Sequence, residues 1–410
     1  MMTKSVPNAG QGHPPVGRAG LLLAVGVIAL GLNLRTSIVA VSPILNTIRH
    51  DTGLSTAALG LLTTLPLLCF GVFAPLAPRL ARLFRTAPTL LASMVAICAG
   101  TALRLIPSTA TLLGGTVVIG AGIGVANVLL PGVIKRDFGS REGLMTGLYS
   151  MSLSIGAALA AGVTVPLGRI THTDWRVTLA LWGLLAVAAV AVWAPQVRRR
   201  RNGVAEAAPG DEARPVRGIW RSPVAWLVTA FMGMQSLGFY ATTAYLPSVL
   251  GDAGLSAAEA GLLLSLANLI GIAAAFTTPT LAVRAGRPGL LAILAAVLTA
   301  GGLTGLLVAP ASAAYLCVLL LGFGQSGAFS LALLFIVLRA PDGRHAAQLS
   351  GMAQCYGYLL AAVGPLALGA AHQATGSWTL PLVLLLVLLV PQTAAGLGAS
   401  RNRYAAPEQP

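Results

Sequence analysis

Apolar runs of roughly 20 residues, the length a helix needs to cross the hydrocarbon core of a bilayer, follow one another from Leu21 almost to the C-terminus. That succession constrains the chain more than any motif in it. Of its 410 residues, 56% are hydrophobic and 9% are charged, against about 25% charged in soluble domains. A water-soluble surface cannot be built from such a composition, so the chain reads as a polytopic membrane protein. Its 48 glycines and 25 prolines suit that class, because both residues are commoner in membrane helices than in soluble ones.

Cutting at charged, Pro-rich or Gly-rich breaks gives twelve candidate spans. They run at about 18–46, 55–78, 87–106, 110–134, 143–168 and 176–195, then 223–250, 257–282, 288–309, 312–338, 346–371 and 377–399. Alternate loops differ sharply in Lys and Arg. One side holds 21 of the 26, including Lys4, Arg18, Lys135 and the run Arg198 to Arg201, whereas the other holds only Arg49, Arg169 and Arg176. Arg35 and Arg104 fall within spans. By the positive-inside rule both termini and the middle loop are expected to be cytoplasmic. The net charge of +15 is thereby accounted for by membrane sorting, and a nucleic-acid partner is not expected.

The polar stretch 197–220 splits the chain into six spans and six. The expected units are a tail 1–17, a bundle 18–196, a cytoplasmic linker 197–220, a second bundle 221–400 and a tail 401–410. An internal repeat supports the division. Gly53 to Leu62 and Gly254 to Leu263 agree at seven of ten positions with an offset of 201 residues. Six helices return the chain to its starting side, so the two copies share one topology and are related by an axis along the membrane normal. Cys69, Cys98, Cys317 and Cys355 all sit in apolar segments with no CxxC and read as small core residues. Residues 1–17 contain no apolar signal-peptide core, so the first helix can direct insertion.

Several local stretches carry a family resemblance: Gly31 to Arg35 (GLNLR), Gly53 to Ser55 followed by Leu62 to Pro66, Ala74 to Arg82 (APLAPRLAR), and Ala126 to Pro131 with Ile134 and Lys135. Through these the chain resembles the major facilitator superfamily, and within it the cyanate and nitroimidazole transporter branch. The resemblance implies an all-α fold of twelve transmembrane helices in two six-helix bundles. Where the superfamily's loop motif after helix two carries an Asp, this chain has Pro75, and Pro78 replaces the second Gly; after helix eight, Val283 replaces the acid. The charge relay that this Asp anchors in relatives therefore lacks its anchor. Arg79, Arg82, Arg284 and Arg287 are the candidates for gating, the first three as partners of helix C-terminal carbonyls. Thr116 stands where proton-coupled relatives often carry an arginine, which does not support proton coupling by that route.

A charge at the bilayer centre costs about 2.5–3.5 kcal/mol on insertion scales. Arg35 lies 17 residues beyond Arg18, roughly 25 Å along a helix, too far to snorkel back. It is either a structural arginine bonded to carbonyls or an anchor for substrate, and intramembrane charge favours the second. All eleven acidic residues fall in expected loops or at span ends. A cationic site without a protein counter-ion suits an anion, or a neutral solute with strong acceptors, because guanidinium offers a planar fork of donors. Arg104, near the outer end of helix three, is a further substrate-binding candidate, with the alternative that its long stem reaches the headgroups. Asn33 stands about 200° around the helix from Arg35, so the two cannot both point into one cavity. Candidate lining residues recur in both halves: Asn33, Asn127 and Tyr149, then Gln235, Phe239, Tyr240, Gln325, Phe329, Gln354 and Tyr358. The competing reading for each is interhelical bonding or ordinary packing.

Gly120 to Gly124 (GAGIG) resembles a truncated dinucleotide loop but has no preceding strand, and close helix packing explains it better. His13 and His345 are expected on the cytoplasmic side, and His50, His172 and His372 near the outer face, solvated. No metal, cofactor or catalytic constellation is visible. The expected protein is therefore a monomeric, multi-pass transporter of the bacterial inner membrane, working by alternating access and making no covalent bond. By resemblance its cargo is a small polar or anionic solute, cyanate-like or nitroimidazole-like. A multidrug exporter of broader specificity is the alternative. Protons are candidate co-substrates, with uniport and exchange left open.

Overall fold

The computed structural model describes residues 18–54, 56–201 and 218–405. The expected tails 1–17 and 406–410, Ser55 of the GLS motif and residues 202–217 of the linker lie outside them. The described chain is helical, with no strand among the described residues. In chain order the long helices are α1 (Arg18–Val39), α2 (Thr56–Phe73), α3 (Thr86–Leu103), α4 (Thr109–Phe138), α5 (Glu142–Thr171) and α6 (Gly183–Arg201). The second half supplies α7 (Pro223–Asp252), α8 (Ala257–Arg284), α9 (Pro288–Val308), α10 (Ala314–Leu338), α11 (Gly343–Thr375) and α12 (Thr379–Ser400). Eleven helices are long and apolar enough to span, and twelve if a bent pair counts as one span.

The departures from the sequence reading have local causes. The first span stops at Val39 and gives way to a turn of 3-10 helix, Ser42–Ile44, and a polar helix, Leu45–Thr52, ended by Gly53 at φ 65°. Glycine meets no steric penalty in that left-handed conformation. The second span breaks after Phe73 and continues as Leu76–Phe84, bent by 56°. Pro75 and Pro78 each remove a backbone donor there, which permits the bend. The sixth span likewise opens as a separate short helix, Trp175–Leu181, and α6 runs on through the arginines to Arg201.

The repeat seen in ten residues extends through the packing. A Cβ on Gly100 would lie 2.7 Å from the Gly115 carbonyl oxygen, and one on Gly302 would lie 2.9 Å from that of Cys317, a pair shifted by 202 residues. Small residues at these crossings let α3 close on α4 and α9 on α10. At the end away from the arginine-rich loops, Trp175 Nε1 donates to Asp51 at 2.9 Å, and Trp378 Nε1 donates to Asp252 at 2.7 Å. Each tie pins the last helix of a half to the connection near its first. His372, expected to be solvated, is instead stacked on Trp378 with ring centroids 3.8 Å apart.

At the basic end the halves close on each other. A Cβ on Gly132 of α4 would lie 2.7 Å from the Gly343 carbonyl oxygen of α11, and one on Gly147 of α5 would lie 2.8 Å from that of Phe276 in α8. Glycine is required at such backbone approaches, because any side chain would force the helices apart. The glycine approaches that join the two halves, through Gly71, Gly132, Gly143, Gly147, Gly343 and Gly351, all lie in the middle or basic half of their helices. The conformation is therefore sealed at the basic end.

Two carboxylates outside the spans set an acid limit. Asp51 is held below its ordinary range by the hydrogen bond from Arg176 and then by that from Trp175. Asp342, which caps α11, is opposed by burial, but hydrogen bonds from His345 outweigh it and lower it to about 2. Their contribution to stability is complete above the unfolded carboxylate value of about 3.9 and is lost as pH falls through the lower folded values. Thermal unfolding of the purified protein is expected to sit on a plateau above pH ~5 and to lose stability from pH ~4 downward. Asp51→Asn should lower the plateau and flatten the acid limb; an unchanged limb would remove Asp51 from this account.

Candidate functional site

Arg35 leaves α1 toward the other half of the molecule. Its guanidinium carbon stands 4.5 Å from the centre of the Phe329 ring of α10 and 5.5 Å from that of Phe239 of α7. The ring quadrupole attracts a cation over its face, more strongly where water is scarce. Arg35 makes no salt bridge among the described residues, and every described carboxylate lies at a helix end or in a connection. Two aromatic faces from the second half thus stand where an acid would be expected. A guanidinium lying on a ring keeps its N–H donors in its own plane, available to an acceptor arriving edge-on.

Three tyrosines complete the surround. Tyr240 and Tyr358 join the Phe239 face through ring contacts, and Tyr149 approaches from the first half bonded to Asn127. Phe239 packs edge-on to Tyr240 at 5.3 Å, Tyr240 to Tyr358 at 6.5 Å, and Tyr358 to Phe70 of α2 at 5.1 Å. Phe70 was not anticipated, since an aromatic inside an apolar run has no mark of its own in one dimension. Tyr149 donates to Asn127 Oδ1 at 3.0 Å, and Gln354 Nε2 donates to the Asn127 carbonyl at 2.9 Å and to Ser350 Oγ at 2.8 Å. Asn127 is therefore the hinge of a polar chain running from α5 through α4 to α11, across the two halves. The hydroxyls of Tyr240 and Tyr358 have no hydrogen-bond partner among the described residues.

Other candidates are placed elsewhere. Asn33 donates to the Ala29 and Leu185 carbonyls, which ties α1 to α6 and faces away from Arg35, as the helical angle requires. Arg104 does not reach outward to headgroups. It is 2% exposed and donates to the Ser37 carbonyl at 3.1 Å and to Thr116 Oγ1 at 2.9 Å, locking α3 to α1 and α4. Gln235 bonds Met232 and Ser236 on its own helix, and Gln325 donates to Thr242 at 2.9 Å within the second half. Arg284 and Arg287 are exposed, and Arg79 and Arg82 line clefts at the basic end. Arg79, Arg82 and Arg284 make none of the bonds to helix C-terminal carbonyls expected of them among the described residues. Gly120 and Gly124 face Cys69 and Phe70 as packing contacts.

The family model described as Major Facilitator Superfamily matches residues 21–365. The chain belongs to the major facilitator superfamily. It is 42% identical to the uncharacterized transporter YycB of Bacillus subtilis over 93% of this chain and 94% of that one. It is 40% identical to the 2-nitroimidazole transporter of Escherichia coli over 94% and 97%. Identity to the cyanate transport protein CynX of Escherichia coli is 31% over 86% and 90%. Among solved structures, the proton:xylose symporter XylE superposes with a TM-score of 0.74 at 14% identity, over 92% of this chain and 94% of that chain, a likeness of fold. The chain is thus a transporter of the cyanate and nitroimidazole branch, with the all-helical facilitator fold.

Removing the Tyr149 hydroxyl would strand Asn127 Oδ1 in the interior. Tyr149→Phe is expected to cost about 1 kcal/mol, toward the low end for a buried acceptor losing its donor in a membrane protein. Thermal unfolding in detergent measures it, and an unaltered midpoint would show that this bond carries no net stability.

Proposed function

We propose that this transporter carries a small planar anion, or a neutral solute with strong acceptor oxygens, and that Arg35 is its anchor. The observation that carries the reading is the mid-membrane guanidinium held over Phe329 and Phe239 with no carboxylate among the described residues beside it. A partly buried intramembrane cation with no counter-ion among the described residues favours a ligand that brings the missing negative charge. The relatives named for 2-nitroimidazole and for cyanate supply two cargoes of that chemistry: a nitro group presents two acceptor oxygens, and cyanate is a compact anion.

In this reading the cargo's oxygens take the in-plane donors of Arg35, Tyr240 and Tyr358 add hydroxyl donors, and the phenylalanine faces hold the flat remainder. Because Arg35 comes from one half and its aromatic faces from the other, occupancy bears on how the halves sit. With the basic end sealed, the site is reached from the opposite end, and rocking of the halves exchanges that access for one on the arginine-rich, cytoplasmic side of a bacterial inner membrane. No covalent chemistry is involved. With every described carboxylate at a helix end or in a connection, any co-transported proton would travel on the cargo itself.

Hydrogen bonds to a charged group contribute about 1.5–3 kcal/mol each. Arg35→Ala is therefore expected to weaken cyanate or 2-nitroimidazole binding by at least about tenfold and to abolish uptake into proteoliposomes. Arg35→Lys, which retains charge without the planar fork, should fall between the two. Unchanged affinity and uptake in Arg35→Ala would overturn the assignment.

A further inference from the structure

The arginine-rich end holds two adjoining cavities that the transport reading leaves without a role. The larger, about 560 Å³, is lined by Arg79 and Arg82 from the segment beyond the bend of α2, by Trp220 and Arg221 just before α7, and by Gln348 of α11. The other, about 370 Å³, shares Arg82 and Gln348 and adds Arg136, Arg344 and Asp342. Asp342, the acid among these lining residues, is committed to capping α11 through the His345 backbone N–H and also meets the His345 ring. The larger cavity has no acidic lining residue.

Positive-inside sorting explains why arginines collect at this end, but it does not require them to converge on one concave surface from both halves of the chain. Arg79 and Arg82 come from the first half and Arg221 from the second. None of the three has a hydrogen-bond or ion-pair partner among the described residues. The rim is aromatic as well. Trp220 (52% exposed), Trp226 (43%) and Tyr356 (44%) form an edge-packed cluster, with Trp220 to Tyr356 at 5.9 Å and Trp226 to Tyr356 at 5.4 Å. Trp226 Nε1 donates to the Trp220 carbonyl at 2.9 Å, and Ile219 is buried in the core, so this rim is anchored. Exposed tryptophan and tyrosine mark the headgroup level of a membrane protein, and basic pockets between helices at that level suit anionic headgroups.

We propose that this inter-half cavity binds a phosphoryl group, supplied by an anionic phospholipid of the adjoining leaflet. The phosphate sits between Arg82 and Arg221, its acyl chains leave past Trp220, and the bound headgroup ties the two halves together at the end the conformation already seals. Because it contacts both halves, a bound lipid favours the sealed arrangement over one in which they part.

The test uses the purified full chain in detergent, with thermal-shift titration of dioctanoyl-phosphatidylglycerol, dioctanoyl-phosphatidylcholine and inorganic phosphate. The phosphatidylglycerol is expected to stabilise the protein saturably, with affinity falling about fivefold for Arg82→Gln and about fivefold for Arg221→Gln. Arg287→Gln, in the exposed turn after α8, should leave that affinity as it was. The two variants lie in different halves, so a folding defect in one leaves the other as the test. Phosphatidylglycerol acting where phosphate does not identifies the lipid as the source. Phosphate acting alone at the same arginines keeps the phosphoryl chemistry and transfers it to a soluble ligand. Equal stabilisation by phosphatidylcholine, or unchanged affinity in both variants, overturns the proposal.

Discussion

A guanidinium roughly 25 Å along the first helix cannot be left in hydrocarbon without compensation, and the arrangement of the middle of this protein follows from how Arg35 is compensated. No acid reaches it. Its partners are the faces of Phe329 and Phe239, at 4.5 and 5.5 Å, and such contacts are worth about 0.5–1 kcal/mol where exposed and about 2 kcal/mol or more where desolvated. A ring face attracts the cation without neutralising its formal charge, as a carboxylate would. The site is thus left able to gain from a negative charge, which suits the reversible anion binding proposed for it.

The same interaction bears on movement. Helix α1 brings the charge and helices α7 and α10 bring the rings, so the contact persists only while the halves keep their present separation at mid-depth. The chain Tyr149 to Asn127 to Gln354 crosses between the halves at a neighbouring level. Toward the basic end, backbone meets backbone at Gly132 and Gly343. Aromatic, polar and glycine contacts thus follow one another along the interface between the halves. Only the glycine contacts depend on close approach alone, so they are the ones that separate without stranding a polar group.

The fold was legible because membrane insertion reads local hydropathy and loop charge, both properties of short stretches. Arg35 was legible for the same reason: a charge inside an apolar run needs no third dimension to be noticed. The repeat of Gly53 to Leu62 in Gly254 to Leu263 carried over to the packing of α3 on α4 and of α9 on α10. What could not be read was rotation about each helix axis in its packed setting. Gln235 and Gln325 have the right depth and chemistry for a site, yet their bonds lie within the second half, and Arg104 is consumed by Ser37 and Thr116. The bend after Phe73 was visible in Pro75 and Pro78, but those prolines drew attention as departures from a motif. Phe70 had no signal until Tyr358 was seen against it.

The most direct measurement is a structure with a heavy-atom-labelled cargo, a bromo-substituted 2-nitroimidazole located by its anomalous scattering. The account predicts the nitro oxygens within hydrogen-bond distance of the Arg35 guanidinium, about 2.7–3.2 Å, and the ring flat against Phe329 or Phe239. Anomalous density elsewhere, with Arg35 still lying on its two rings, would contradict it.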